Sequence, residues 1–376
     1  MKPLRLCFVG PAASVTARRW VEWFARRGHE TTIVTVEPAD PADLCDPTGS
    51  PLIRQIDVRV ACRSRKLGRL ISALRMAVTV RRLRPDVVHV HYARGLAWGL
   101  ALARPRPCVV TVWGSDVLED QGAFREPCSR TLTRQVLGGA DLVTVHSEYL
   151  AQTVGPLIPG AVPLVRIGWG VDLSRFKPGL DVRPLRERWG IGECDRVVLS
   201  PRLAQPFYGH DRIIRALPVV CEKVPEALLA ITTQSADPDY LASLRRLAVT
   251  VGVGHRVRFV PPIPYPEMPL WLNLADAVVM VPRSDGMPNT LWEAMACGAV
   301  PVLNRLPQYA GVVRHGVNGF LVDPDGDLAG ALIGLLSEPS LRASIGRRNR
   351  ELACEQGDQD LEMTRMEAWY CTLAAR

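Results

Sequence analysis

The sequence predicts an α/β protein made of two Rossmann-like halves, each a parallel sheet with helices on both faces. Three observations lead there. Short, uniformly apolar runs alternate with longer segments of helical period. The alternation breaks once, at the proline- and glycine-rich stretch 154–179, VGPLIPGAVPLVRIGWGVDLSRFKPG, and then resumes. The 376 residues favour two domains over one.

In the first half, residues 4–9, 32–36, 86–90, 108–113 and 142–145 read as strands, with helices expected over 17–27, 66–83 and 94–103. Strands buried on both faces lose the apolar/polar alternation of a half-exposed strand, and these runs have lost it. After the break, strands are expected at 196–200, 227–231, 257–260, 277–280 and 299–303, with helices near 210–222, 239–249, 266–274 and 289–297. Beyond Asp327 the chain reads as nearly all helix. Neither a short-period repeat nor a low-complexity tract is visible.

Composition narrows the class. Hydrophobic residues make up 47% and charged residues 22%, as in an ordinary soluble protein. No apolar run reaches the ~18 residues that would suggest a membrane span. The first apolar run, at the N-terminus, is too short for a signal peptide and reads as a first strand. Ten cysteines show neither a CxxC pair nor a Cys/His spacing, so they are read as reduced core thiols of a cytoplasmic protein, and no metal site is expected. The net charge of +8 is lopsided: residues 1–172 hold 23 Lys+Arg and 15 Asp+Glu, and the rest is balanced. This suggests an anionic partner for the first half, although an arginine-rich coding bias would give the same excess. No nucleic-acid partner is expected.

In such folds ligands bind at the carboxyl ends of the strands, so the loops there are the candidates for chemistry. Gly10 opens GPAASVTARRW, whose backbone amides can hold a phosphate or sugar; a plain strand-to-helix turn explains it as well, and the full GxGxxG of a dinucleotide site is missing. In DVVHVHYARG, His89 and His91 share one face of a strand, and His91, at its end, is the better site candidate. TVWGSDVLED offers Trp113, Ser115 and Asp116, with helix capping as the competing role for the last two. In SPRLAQPFYGHD, Arg202 follows a buried strand and suits a phosphate, with Tyr208 and His210 just beyond. The most informative stretch is RSDGMPNTLWEAMACGAVPVL, residues 283–303. A polar loop runs into a helix whose first amides, near Met287, Asn289 and Thr290, suit a diphosphate. Glu293 sits one turn in, on an apolar face, where burial without a partner costs several kcal/mol. A ribose diol would be such a partner; a nearby arginine would be another. Asp285 in the loop can accept from sugar hydroxyls.

These stretches, with GWGVDLSRFKP and HGVNGFLVDPDG, resemble a family 4 glycosyltransferase along nearly the whole chain. The resemblance implies the GT-B fold: two Rossmann-like parallel-sheet domains facing a central cleft. It implies an acceptor-binding domain at 1–172, joined by a C-terminal helix at 358–376, and a nucleotide-sugar-binding domain at 173–357. The implied reaction is metal-independent transfer of a sugar, with retained configuration, to a small-molecule, lipid or glycan acceptor. Catalytic roles would fall to Arg202, Asp285 and His91. The donor would meet Gly10, Arg202, Tyr208, Asp285, Gly286, Met287, Pro288, Asn289, Thr290 and Glu293; the acceptor would meet Ser14, His91, Trp113, Ser115 and Asp116. No cofactor is implied beyond the donor itself, a GDP-, UDP- or ADP-sugar.

Three positions depart from the family pattern. Asp285 stands where glutamate is usual, Trp113 where histidine is common, and Tyr208 where a phosphate-binding lysine is usual. They keep open a noncatalytic nucleotide-sugar-binding or partner protein; a sugar-nucleotide epimerase of the same fold is a further alternative. Residues 63–84, RSRKLGRLISALRMAVTVRRLR, form a basic helix with Leu67, Leu70, Ile71, Leu74 and Val78 as one stripe. The stripe is expected to cover the first sheet; peripheral docking on the inner membrane face is the alternative.

Overall fold

The computed structural model describes residues 2–45, 52–119, 124 and 128–376, with side chains described for all but Arg65, Lys66, Ala101 and Leu102. It divides into two compact units: residues 1–169 with 360–376, and residues 170–359.

Unit 1 holds a seven-stranded, all-parallel sheet: β1 (Arg5–Val9), β2 (Glu30–Thr35), β3 (Arg54–Asp57), β4 (Val87–His91), β5 (Cys108–Thr111), β6 (Leu142–Val145) and β7 (Leu164–Arg166), in the order β3-β2-β1-β4-β5-β6-β7. The helices are α1 (Val15–Arg26), α2 (Arg65–Leu83), the single-turn α3 (Leu100–Ala103), α4 (Ser129–Gly138) and α5 (Glu148–Val154). The expected helix at 94–103 is a 3₁₀ segment, Gly95–Gly99, followed by α3. A β-carbon on Gly99 would lie 2.4 Å from the Ala73 carbonyl oxygen, so this turn and α2 meet backbone to backbone.

Unit 2 repeats the plan with α6 (Arg183–Trp189), α7 (His210–Lys223), α8 (Pro238–Thr250), α9 (Met268–Leu274), α10 (Asn289–Ala296), α11 (Leu328–Ser337) and α12 (Pro339–Gln356). Its strands are β8 (Arg196–Ser200), β9 (Ala227–Thr232), β10 (Val257–Val260), β11 (Ala277–Met280), β12 (Pro301–Asn304) and β13 (Phe320–Val322), in the parallel order β10-β9-β8-β11-β12-β13. In both sheets the order reverses beside the first strand, the switch point of a doubly wound fold.

The last helix, α13 (Gln359–Ala374), belongs to unit 1 from residue 360 on. Met363, Met366, Tyr370 and Leu373 join the apolar core formed by Phe8, Trp20 and Phe24. Polar contacts fix its register: buried Glu367 accepts from Arg27 and lies 2.9 Å from His29 Nε2, and Gly168 N–H donates to Glu362 at 2.6 Å.

Two expectations change here. The stripe on α2 does not cover the sheet: Leu67, Leu70, Leu74 and Val78 are 44–54% exposed. A second face, Ser72, Ala73, Met76, Ala77 and Val80, is buried instead. Its small residues permit the close approach at Gly99, which the leucines would block. The cysteines are not all core thiols: Cys7, Cys108 and Cys297 are buried, whereas Cys62, Cys128, Cys194 and Cys354 are exposed.

Candidate active site

In unit 2 the loops after β8, β11 and β12 converge at the carboxyl end of the sheet. Arg202 lies two residues past β8, and its guanidinium stacks 4.8 Å above the Tyr208 ring. The turn that carries it is pinned from behind. Ser200 Oγ and the Leu203 carbonyl hold the two nitrogens of buried His210, at 3.0 and 2.9 Å. Gly209 follows with φ of 69°, and a β-carbon there would lie 2.7 Å from the Val281 carbonyl oxygen, so only glycine fits.

Arg202 Nη2 meets Asp285 Oδ2 at 3.0 Å, joining the loops after β8 and β11. Tyr309 Oη donates to the same oxygen at 3.2 Å, and Gly286 N–H donates to Oδ1 at 2.8 Å. The Asp285 carbonyl accepts from Gln308 Nε2 at 2.6 Å. Burial works against the charge on Arg202, and Asp285, with Tyr208 and Tyr309, more than offsets it, so the guanidinium stays charged. Burial, then the Asp285 charge, pushes the Tyr309 phenol well above its ordinary value, so it remains a donor.

Residues 284–288, a polar loop by sequence, are buried throughout. Met287 adopts φ of 94°, a conformation that costs a side-chain-bearing residue about 1–3 kcal/mol. Helix α10 starts at Asn289 and Thr290 behind Pro288, with no side-chain cap and no acidic residue in its first turn. Its N-terminal amides and dipole therefore offer positive potential next to Arg202's loop partner. Glu293 is buried one turn in; Tyr265 Oη donates to it at 3.1 Å. Gly298, with φ of 77°, follows the helix's C-cap residue, Cys297.

In unit 1, His89 and His91 project from the same face of β4 with their rings stacked 4.4 Å apart. Their surroundings differ. His89 Nε2 meets Thr111 Oγ1 at 2.6 Å and its Nδ1 meets Tyr370 Oη. His91 has no hydrogen-bond partner on either nitrogen, and neither does Trp113 Nε1. His91 is boxed in by Phe8, Trp20, Trp113 and Trp169, at centroid distances of 5.2 to 6.1 Å. Gly10 closes the box: a β-carbon there would lie 3.0 Å from His91 Cβ. Burial lowers the His91 pKa to about 3, and burial with the neighbouring His91 takes His89 well below its ordinary value.

Asp116 is bonded to the backbone of its own loop and of its neighbour. It is fully buried, and its oxygens accept from the amides of Ala93, Trp113 and Gly114 at 2.8–3.0 Å. It shapes the loop that presents Trp113. Ser115 Oγ donates to Tyr92 Oη at 3.4 Å, and Ser14 is the N-cap residue of α1 without a capping side-chain bond. Asp120, at the end of that expected motif, lies outside the described residues. Sequence reading missed Tyr309 and Gln308; their signal was a polar pair right after a buried strand, PVLNRLPQY.

Two doubly wound sheets, one with a buried arginine–aspartate pair beside an uncapped helix, define a GT-B glycosyltransferase. Sequence comparison agrees: residues 5–147 match the model described as "Glycosyl transferase 4-like", and residues 181–352 the model "Glycosyl transferases group 1". The chain is 34% identical over 278 residues to a GDP-mannose-dependent alpha-(1-6)-phosphatidylinositol monomannoside mannosyltransferase of Mycolicibacterium smegmatis, covering 69% of this chain and 71% of that protein. It is 31% identical to a D-inositol 3-phosphate glycosyltransferase of Catenulispora acidiphila, covering 72% and 67%. Among solved structures, Anabaena HepE in complex with UDP-glucose superposes with a TM-score of 0.82 at 18% identity, over 98% of this chain and all of that one. The chain belongs to the family 4 glycosyltransferases and is a glycosyltransferase.

The buried histidines make stability depend on pH. His91 titrates near 6.5 when unfolded and near 3 when folded, so between those values the unfolded state binds a proton that the folded state does not. Its contribution is complete above pH 6.5 and is lost as pH falls, by up to about 1.4 kcal/mol per pH unit. Urea unfolding between pH 6.5 and 5 should give a stability slope flatter by about that amount in His91→Gln than in the wild type. Equal slopes would show that His91 is not held neutral by burial.

Proposed function

We propose that the protein transfers a hexose from a nucleoside diphosphate sugar to an acceptor carrying an inositol ring, with retention of configuration and without a metal. The observation that carries this is the largely buried Arg202–Asp285 pair beside the uncapped start of α10, with Glu293 one turn inside. In this reading the diphosphate lies between Arg202, over Tyr208, and the first amides of α10. Charge grows on the leaving phosphate as the bond from the sugar carbon breaks. A fixed guanidinium and helix amides stabilise that charge without reorganising. Asp285 faces the sugar hydroxyls and Glu293 the ribose diol. The acceptor oxygen bonds to the same sugar carbon, and its proton passes to the departing diphosphate on the same face.

Unit 1 takes the acceptor. Neutral His91 and the Trp113 N–H are buried polar groups awaiting a partner, and a ring hydroxyl both accepts and donates. The excess positive charge of residues 1–172 favours an anionic acceptor. The inositol class is supported by the activities of the two relatives, and a nucleotide donor by the GDP-mannose dependence of one and the UDP-glucose bound to HepE.

We further assign α2 to an anionic membrane surface, cytoplasmic in sidedness. Leu67, Leu70, Leu74 and Val78 form an exposed apolar line, and Arg63, Arg69, Arg75, Arg81, Arg82 and Arg84 surround it on an exposed face. Residues 63–84 contain no acidic residue. Apolar insertion with basic flanks is the signature of a helix lying in a bilayer interface. No helix among the described residues is long and apolar enough to cross a membrane.

Two measurements test these readings. With GDP-mannose or UDP-glucose as donor and inositol phosphate or phosphatidylinositol as acceptor, mass spectrometry should find a glycosylated inositol product. Arg202→Met should lower kcat by about 100-fold, while leaving the acceptor KM within a few-fold. A variant altered only in acceptor KM would remove Arg202 from the diphosphate. Vesicles of phosphatidylglycerol and phosphatidylcholine should sediment the wild type at low salt, and a Leu70→Asp, Leu74→Asp variant should stay in solution. Equal sedimentation of the two would contradict the α2 assignment.

A further inference from the structure

The segment after β11 is held by side chains from one short stretch, from the last residue of β12 to Tyr309, and nothing in the reaction itself calls for them. Asn304 Nδ2 donates to the Pro282 carbonyl at 2.7 Å. Gln308 Nε2 donates to the Asp285 carbonyl, and Tyr309 Oη donates to the Asp285 carboxylate. Tyr309 is fully buried and Gln308 nearly so. They sit on the 3₁₀ turn Pro307–Tyr309, which is part of the core on its other side. Here backbone carbonyls and a carboxylate at a sheet end are satisfied by the protein, where a solvated loop would use water.

We propose that Tyr309 is a positioning residue that sets which sugar the donor site accepts, by fixing the Asp285 carboxylate and rationing its lone pairs. A carboxylate offers about four acceptor positions. Gly286 N–H takes one on Oδ1 and Tyr309 takes one on Oδ2, which also lies 3.0 Å from Arg202 Nη2 in an ion pair. A donor and a cation on Oδ2 leave Asp285 few open positions, so it receives a sugar hydroxyl in a restricted direction. The phenol cannot yield its place by ionising, since burial and Asp285 keep it protonated. Without the Tyr309 hydroxyl, Oδ2 regains an open position and the carboxylate can rotate, so a hydroxyl of inverted configuration finds an acceptor too. The inference rests on the assignment of Asp285 to the donor sugar.

The test compares epimeric donors, GDP-mannose with GDP-glucose and UDP-glucose with UDP-galactose, by kcat/KM in the wild type, Tyr309→Phe and Asp285→Asn. Tyr309→Phe conserves core volume and removes only the hydroxyl. For the preferred nucleotide, the ratio between epimers should fall at least 5-fold in Tyr309→Phe. Affinity for the free nucleoside diphosphate should stay within 2-fold of wild type. A purely structural tyrosine would weaken nucleotide and both epimers alike and leave the ratio unchanged; that result overturns the proposal. Asp285→Asn separates the two readings. If it too leaves the ratio unchanged, Asp285 does not face the sugar, and the donor-site assignment fails. If it changes the ratio and Tyr309→Phe does not, only the role of Tyr309 fails.

Discussion

The site in unit 2 depends on one largely buried ion pair, Arg202 with Asp285. Taking both charges out of water costs several kcal/mol per ion, and attraction between them repays that only with good geometry and further hydrogen bonds. The surrounding residues supply both. Tyr208 lies under the guanidinium, Gly286 and Tyr309 donate to the carboxylate, and Gln308 holds the backbone behind it. Gly209 lets the Arg202 turn approach β11 closely, and His210 locks that turn to β8. The left-handed Met287 then aims the chain into α10. A pair kept only for stability would be replaceable by apolar residues. Here the pair lies at a switch point beside the N-terminus of α10, where the helix dipole adds positive potential.

Unit 1 solves a different problem. It keeps an unpaired imidazole dry and neutral inside a box of rings, with the neighbouring His89 tied to Thr111 and Tyr370. Because Tyr370 lies on α13, the last helix of the chain helps set the state of this cluster. The same helix satisfies His29 and Arg27 through Glu367. Loss of α13 would thus expose polar groups at both ends of the strands as well as apolar surface.

Much of this was legible in the residues. Short, mostly apolar runs between helical segments are legible, so β6, β8, β11 and the edge strand β10 are read to the residue and the other expected strands within two. The strands that escape, β3, β7 and β13, lie at the sheet edges, are three or four residues long, and carry polar or half-exposed positions. Glu293, Arg202 and Asp285 stand out because charge beside buried runs demands a partner. Which partner it finds is a question of tertiary geometry: Arg202 and Asp285 are 83 residues apart in sequence, and Tyr309 comes from a third loop. Periodicity also misjudged α2, where the larger side chains form the obvious stripe and the smaller ones do the packing. Helical spacing reveals that a face is apolar, while the close approach at Gly99 decides which face is buried.

Thermal unfolding with UDP, GDP, ADP and TDP tests most directly the proposal that unit 2 is built for a nucleoside diphosphate. At about 100 times its dissociation constant, the right nucleotide adds roughly 2.7 kcal/mol to stability. One nucleotide should raise the melting temperature of the wild type, and Glu293→Ala should abolish the rise. A protein indifferent to all four, or a rise undiminished by Glu293→Ala, would contradict the assignment of this site.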